Sequence, residues 1–256
     1  MIRSVSRLLA CLAGVATVSL LSLTVHAQGV DEFGSFGHER GKQSESEQDS
    51  AYELRFGRYE PDADSNLGST PFADTFGSSP RFLIGAEGDW QLLRIPHFGS
   101  IGPGFGFGLT KFTGKARLTE TGAVSATDTR VWMLPMYLVA VARADVFMRD
   151  FNIPLVPYAK FGFGYGLWWS SDGAKTAKVD GVVARDASYG LTYALGGMFL
   201  LDVLDPDDAV SADGITGINN SYVFLEWFRP QLDGFGSKKV LDIGSSSWLV
   251  GVAVEM

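Results

Sequence analysis

Between Phe161 and Trp169 the chain reads FGFGYGLWW, and between Gly102 and Lys111 it reads GPGFGFGLTK. In both, every second residue is large and apolar, and nearly all of the residues between are glycine. A period of two belongs to the β-strand, whose successive side chains leave opposite faces. Glycine weakens a strand and gives water nothing charged to solvate. Such a strand therefore needs an apolar medium on one face and close-packed neighbours on the other.

The same alternation recurs in eight segments separated by turn-rich stretches: Tyr52–Tyr59, Arg81–Leu93, Pro103–Phe112, Thr129–Phe147, Pro157–Trp169, Tyr189–Leu201, Ser221–Arg229 and Ser247–Met256. One parity carries residues such as Leu54, Phe82, Phe107, Phe163, Leu195, Leu225 and Val250. The other carries mostly Gly and Ala with single charges near strand middles. The fourth segment is apolar on both parities until Arg143 and Asp145. A soluble barrel would turn its polar parity to water and show Lys, Glu and Thr there. A face of glycine with isolated charges suits a narrow, crowded lumen instead, with the apolar parity against lipid. Backbone groups in hydrocarbon must all be paired, so such a sheet has to close on itself. Strands of about ten residues, tilted, match the membrane thickness. The expectation is an all-β protein: a closed antiparallel transmembrane β-barrel of meander topology with eight strands, ten being the alternative. An even count puts both termini on the periplasmic side.

The N-terminus has the form of an export signal. Arg3 and Arg7 precede an apolar run from Leu8 to Val25, and Val25-His26-Ala27 fits a cleavage site after Ala27. Residues 1–27 are expected to be a signal peptide, 28–50 a flexible periplasmic leader and 51–256 the barrel. Cys11, the single cysteine, sits too early in the apolar run for a lipoprotein site, so the mature chain has no thiol. Loss of Arg3 and Arg7 lowers the basic count from 21 to 19 against 29 acids, taking the net charge from −8 to −10. That balance, with no Lys/Arg cluster, argues against nucleic acid as a partner.

Strand parity turns Glu53, Arg55, Glu87, Asp89, Arg143, Lys160 and Glu226 into the lumen, where buried charges have to pair. Arg55 and Glu87, on neighbouring strands, form the leading candidate pair. The bland reading of this network is a structural plug; the functional one is a narrow ion path or gated plug. Trp90, Trp168, Trp169, Trp227 and Trp248 lie near strand ends, as an aromatic girdle requires. In the connections on the outer side, Lys115, Arg117, Lys175, Lys178, Arg185, Lys238 and Lys239, with Lys111 at a strand end, could meet lipopolysaccharide phosphates or simply be solvated.

Other chemistry is poorly supported. GPGFGFGLTK lacks the Gly-Lys-Ser/Thr ending of a phosphate loop. Asp62, Asp64 and Asn66 open like a calcium loop, but Leu67 stands where glycine is needed and no closing Glu follows. Asp205, Asp207 and Asp208 read as turn chemistry. A serine hydrolase needs a base; the mature histidines are His38, in the leader, and His97, in a periplasmic turn beside Ser100. No catalytic residue, metal ligand or cofactor is expected.

The segments YELRFGRYEPD, FGFGLTKF, LPMYLVAVARADV and VPYAKFGFGYGLWW are similar to a myxobacterial-type outer-membrane barrel family, and the whole of Ala51–Met256 resembles the small Gram-negative outer-membrane barrels of OmpA/OmpX/OmpW architecture. The resemblance implies residence in the outer membrane, with contact to its lipids and lipopolysaccharide. It also implies delivery by the barrel-assembly machinery, and it brings no assigned reaction. Gly251, Val254 and Met256 resemble the C-terminal assembly signal, although that signal commonly ends in Phe. The expected role is non-enzymatic, structural or surface- and ligand-binding. A narrow channel for small or hydrophobic solutes and a lipid-modifying enzyme are the alternatives.

Overall fold

The computed structural model describes residues 49–116, 124–172, 175–176, 178–179, 182–203 and 218–256. The expected signal peptide, with Cys11, His38 and most of the leader, falls outside them, as do Arg117, Asp205, Asp207 and Asp208. Eight long strands form the fold: β1 (Ser50–Tyr59), β2 (Arg81–Trp90), β3 (Gly99–Gly114), β4 (Thr129–Arg143), β5 (Leu155–Asp172), β6 (Arg185–Leu200), β7 (Asn220–Gln231) and β8 (Ser247–Glu255). Each pairs antiparallel with the one before it, and β8 pairs antiparallel with β1, which closes the sheet. Among the eight long strands no edge is left unpaired. The start of β1 and the end of β8 meet at one end of the barrel, where the backbone N–H groups of Asp49 and Ser50 donate to the Met256 carbonyl.

The outward parity is the apolar one. Phe82, Phe161, Phe163, Leu195, Leu225, Trp248 and Val250 are all exposed, a surface that only a membrane interior would favour. In β4, which the sequence left undecided, Val131, Met133, Tyr137, Val139 and Val141 are buried while Leu138 is exposed. Pro135 lies on the inward parity of that strand, and the β3–β4 ladder skips Gly108 and Leu109, the residues facing Pro135 and Leu134, because proline has no N–H to donate.

The segment expected to run to Phe147 stops at Arg143. A turn at Ala144 and Asp145 leads into the short helix α2 (Val146–Phe151), which the alternating pattern could not signal. On the other end the β1–β2 connection forms α1 (Pro71–Phe76), with Pro71 opening the helix. The Asp64 carboxylate accepts the N–H groups of Phe72 at 2.9 Å and Ala73 at 2.8 Å, doing the work of a cap from outside the helix. Phe72 then meets Phe112 edge to face, with ring centres 5.2 Å apart, tying this loop to the barrel mouth.

The glycines make room for rings. A Cβ on Gly106 would overlap the Tyr137 ring, one on Gly196 the Tyr158 ring, and one on Gly251 the Phe224 ring. These three inward aromatics thus each lie over a glycine of another strand, and the lumen fills at the close density of an eight-stranded barrel. Gly106→Leu and Gly196→Leu are each expected to destabilise the barrel by about 1–3 kcal/mol. The readout is a lower urea midpoint for the compact form on unheated gels. Gly88→Ala, whose added carbon would sit 3.4 Å from the Tyr52 ring, leaves the midpoint unchanged.

Candidate functional site

The inward charges converge on one buried network at mid-barrel. Arg55 on β1 has glycine on both sides, Gly85 of β2 and Gly251 of β8, and this leaves space for its guanidinium. That group contacts Glu53, lies 2.8 Å from Glu87 and 3.1 Å from Glu226, and donates to the Tyr137 hydroxyl. Lys160 on β5 reaches the same three carboxylates, at 2.9 Å (Glu53), 2.7 Å (Glu87) and 3.1 Å (Glu226). Arg143 at the end of β4 grips Asp89 with two parallel bonds of 2.9 and 2.6 Å and touches Glu53 at 3.3 Å. The Arg55–Glu87 pair foreseen from parity is therefore one edge of a larger lattice.

The network contains three cations and four carboxylates, with Glu255 a fifth acid at its margin, 3.7 Å from Arg143. Neutral donors make up part of the difference. The Tyr137 hydroxyl donates to Glu87 at 2.6 Å, while Tyr222, Gln91 and Asn220 donate to Glu255 at 2.8, 2.8 and 3.0 Å. Oxygens of Glu53, Glu87 and Asp89 lie within 4.8 Å of one another, but Lys160 and Arg143 stand between them and take the place a metal cation would need.

Apolar clusters flank the network on both sides. Toward the terminal end lie Val156, Tyr158, Met198, Tyr222, Phe224 and Ala253. Toward the loop end lie Tyr59, Phe112, Met133, Phe228 and Leu249, joined by Leu232 and Ile243 from the β7–β8 connection. The Tyr59 hydroxyl donates to the Ile243 carbonyl and fixes that connection inside the mouth. Sequence reasoning missed this plug because Leu232 and Ile243 sit in a stretch rich in Gly, Asp and Ser. Glu255 carried the inward parity, whereas Tyr137 was hidden by the doubly apolar β4.

The tryptophans divide. Trp90 and Trp248 are exposed on the outer wall, and Trp227 donates to Ser246 at 3.0 Å there. Trp169 stacks on Trp132, a residue the girdle assignment had not included, with ring centres 6.3 Å apart. Trp168 is a correction: it packs on the interior cluster, since adjacent strand residues cannot both face lipid. At the C-terminus, Val254 takes the outward parity, Gly251 the inward one, and Met256 is exposed.

The remaining candidates are engaged locally. Asp62 pairs with Arg229 at 3.0 Å; burial raises its carboxyl above the usual range and Arg229 opposes the rise. Asp64 caps α1, so the two carboxylates of the calcium-like motif serve different elements. His97, in the turn before β3, faces Asp150 at 3.5 Å and is open to solvent, while Ser100 is buried on β3.

This fold and interior define a class: an eight-stranded closed barrel with an apolar outer wall and an ion-filled lumen. No protein-family model matches the sequence, and no characterised protein matches it in sequence. Among solved structures the chain is similar to Ail, the attachment invasion locus protein of Yersinia pestis, with 14% identity, a TM-score of 0.42, and 82% of this chain and 99% of that one covered. It is similar also to the outer-membrane protein OprG of Pseudomonas aeruginosa (12% identity, TM-score 0.47, covering 82% and 96%). Neisserial surface protein A is a third (13%, 0.40, covering 81% and 97%). The closed barrel is established by the pairing of its own strands.

Removing one partner from a buried ion network strands the others. Glu53→Gln and Lys160→Met are each expected to cost about 3–5 kcal/mol. The double variant should cost clearly less than their sum, because one loss compensates the other. Urea unfolding of all four proteins, followed by tryptophan fluorescence, measures this coupling.

Proposed function

We propose that this chain is an integral protein of the bacterial outer membrane with a closed lumen and a non-enzymatic role, binding at the surface through its loop end. The observation that carries the reading is the interior: an ion network with apolar layers above and below it. A path for ions would need a continuous line of water, and the layers of Tyr158, Met198 and Phe224 on one side and Met133, Leu232 and Ile243 on the other occupy that line. Support for the membrane comes from the exposed belt of Phe, Leu and Val on every strand, which water would not tolerate. Trp90, Trp169, Trp227 and Trp248 at strand ends fit a girdle at the two interfaces. On the same reading Gly251, Val254 and Met256 serve recognition by the barrel-assembly machinery. His97 pairs with Asp150 far from the loop end, an arrangement that favours a structural turn over a hydrolytic centre.

Purified protein reconstituted in a planar bilayer is expected to give no discrete conductance steps between pH 5 and 8. Stable unitary steps would contradict the closed lumen.

A further inference from the structure

The charged residues of the outer wall have one sign and one location. Among the described residues, the outward positions of the eight strands carry five charged side chains: Arg58, Lys111, Arg130, Arg185 and Arg229. All are basic, and all lie at the loop end. The described strand carboxylates, Glu53, Glu87, Asp89, Asp186, Glu226 and Glu255, all take the inward parity. For a chain of net charge −8, an outer wall without a single acid is a strong local departure.

Three of the five cations are clustered. Register pairing places Lys111 of β3 beside Trp132 of β4, Trp132 beside Trp169 of β5, and Trp169 beside Arg185 of β6. These four outward side chains form one row across four strands. Its centre is the stacked Trp132–Trp169 pair, whose planes differ by 9°. Lys111 Nζ stands 5.1 Å from the Trp132 ring centre, so the ring holds the ammonium by a cation–π contact. Arg130 lies one outward step beyond Trp132. Asp186, next to Arg185 in sequence, takes the inward parity and accepts the Ala187 N–H at 2.8 Å, and Arg229, on the neighbouring strand β7, is bridged to Asp62.

Neighbouring strands are about 4.8 Å apart, so Lys111 and Arg185 are separated by roughly 14 Å along the row. That span is too wide for one phosphate and fits two, with a flat apolar platform between them. Below the row, an apolar groove of about 540 Å³ runs across the outer wall between Phe105, Met136, Leu138, Phe163, Tyr165 and Tyr189. Met136 is four residues along β4 from Trp132, about 13 Å along the tilted strand and about 10 Å deeper into the hydrocarbon. A phosphate site at interface depth with an acyl-shaped groove beneath it describes a lipid.

We propose that the row Lys111–Trp132–Trp169–Arg185 is a binding site for a bis-phosphorylated glycolipid headgroup of the lipid A class. Its two phosphates meet Lys111 and Arg185, its sugars lie on the tryptophan pair, and an acyl chain lies in the groove. The proposal rests on the outer-membrane reading above and gives the loop end its ligand. Charge-assisted bonds to two phosphates explain why both cations are needed, and the row turns the loop end toward the leaflet that carries such lipids.

The test uses the full-length protein in detergent, with native mass spectrometry during titration by bis-phosphorylated lipid A, monophosphoryl lipid A, cardiolipin or phosphatidylglycerol. One bis-phosphorylated lipid A per barrel is expected, bound on the order of tenfold more tightly than the monophosphoryl form or either phospholipid. Lys111→Ala/Arg185→Ala should abolish that preference, while Arg58→Ala, on the opposite wall, should keep it. Equal retention by the double variant would overturn the site, and equal binding of cardiolipin would overturn the glycolipid assignment. Gel mobility before and after heating, measured on the same samples, separates the two readings. A compact unheated form without lipid preference defeats only this site, whereas loss of the compact form defeats the barrel reading on which it depends.

Discussion

Arg55 is the interaction on which the interior turns. It is 1% exposed and is held by Glu53, Glu87, Glu226 and Tyr137. A guanidinium taken out of water in this way is tolerable only where several oxygens surround it in good geometry. Those oxygens come from β1, β2, β4 and β7, so forming the Arg55 shell requires distant parts of the chain to arrive in one register. A slip of one residue on any strand would turn its members to the lipid face. The network therefore gains less in stability than in specifying a single closed arrangement of a repetitive, glycine-rich sheet.

Glycine has a complementary part in that arrangement. Gly85 and Gly251 flank Arg55, and Gly106 and Gly196 lie under the rings of Tyr137 and Tyr158. The barrel has a fixed internal cross-section, so each large inward side chain needs a small one facing it. The ladders FGFGYG and GFGFG are the cavities into which residues from other strands fit. Three inward rings, Tyr137, Phe224 and Phe228, also line Arg55 within 6 Å, so packing and charge draw on the same groups.

Much of this was legible from the chain. Period-two alternation fixed which residues face lipid on seven strands and brought Glu53, Arg55, Glu87, Asp89, Arg143, Lys160 and Glu226 to a common interior, because parity is a local property of the backbone. The unread parts depended on tertiary context. In β4 both parities are apolar, so Tyr137 gave no sign of reaching a carboxylate. Leu232 and Ile243 look like loop residues until Tyr59 anchors the loop inside the mouth. Trp168 and Trp169 were grouped by proximity to a strand end, although alternation sends them to opposite faces. The row of Lys111, Trp132, Trp169 and Arg185 needed strand register, which sequence does not give.

The central claim is that the lumen is dry and closed at mid-barrel. Residues 49–256 contain no cysteine, so single thiols can be placed at will. Ala194 is 1% exposed, inward, and paired with Lys160. Ala194→Cys in the folded, reconstituted protein is predicted to resist a charged methanethiosulfonate reagent until urea unfolds the barrel, while Lys115→Cys in a loop reacts at once. Rapid modification of the residue-194 thiol in the folded protein would show a water-filled passage past the Arg55 network and contradict the account.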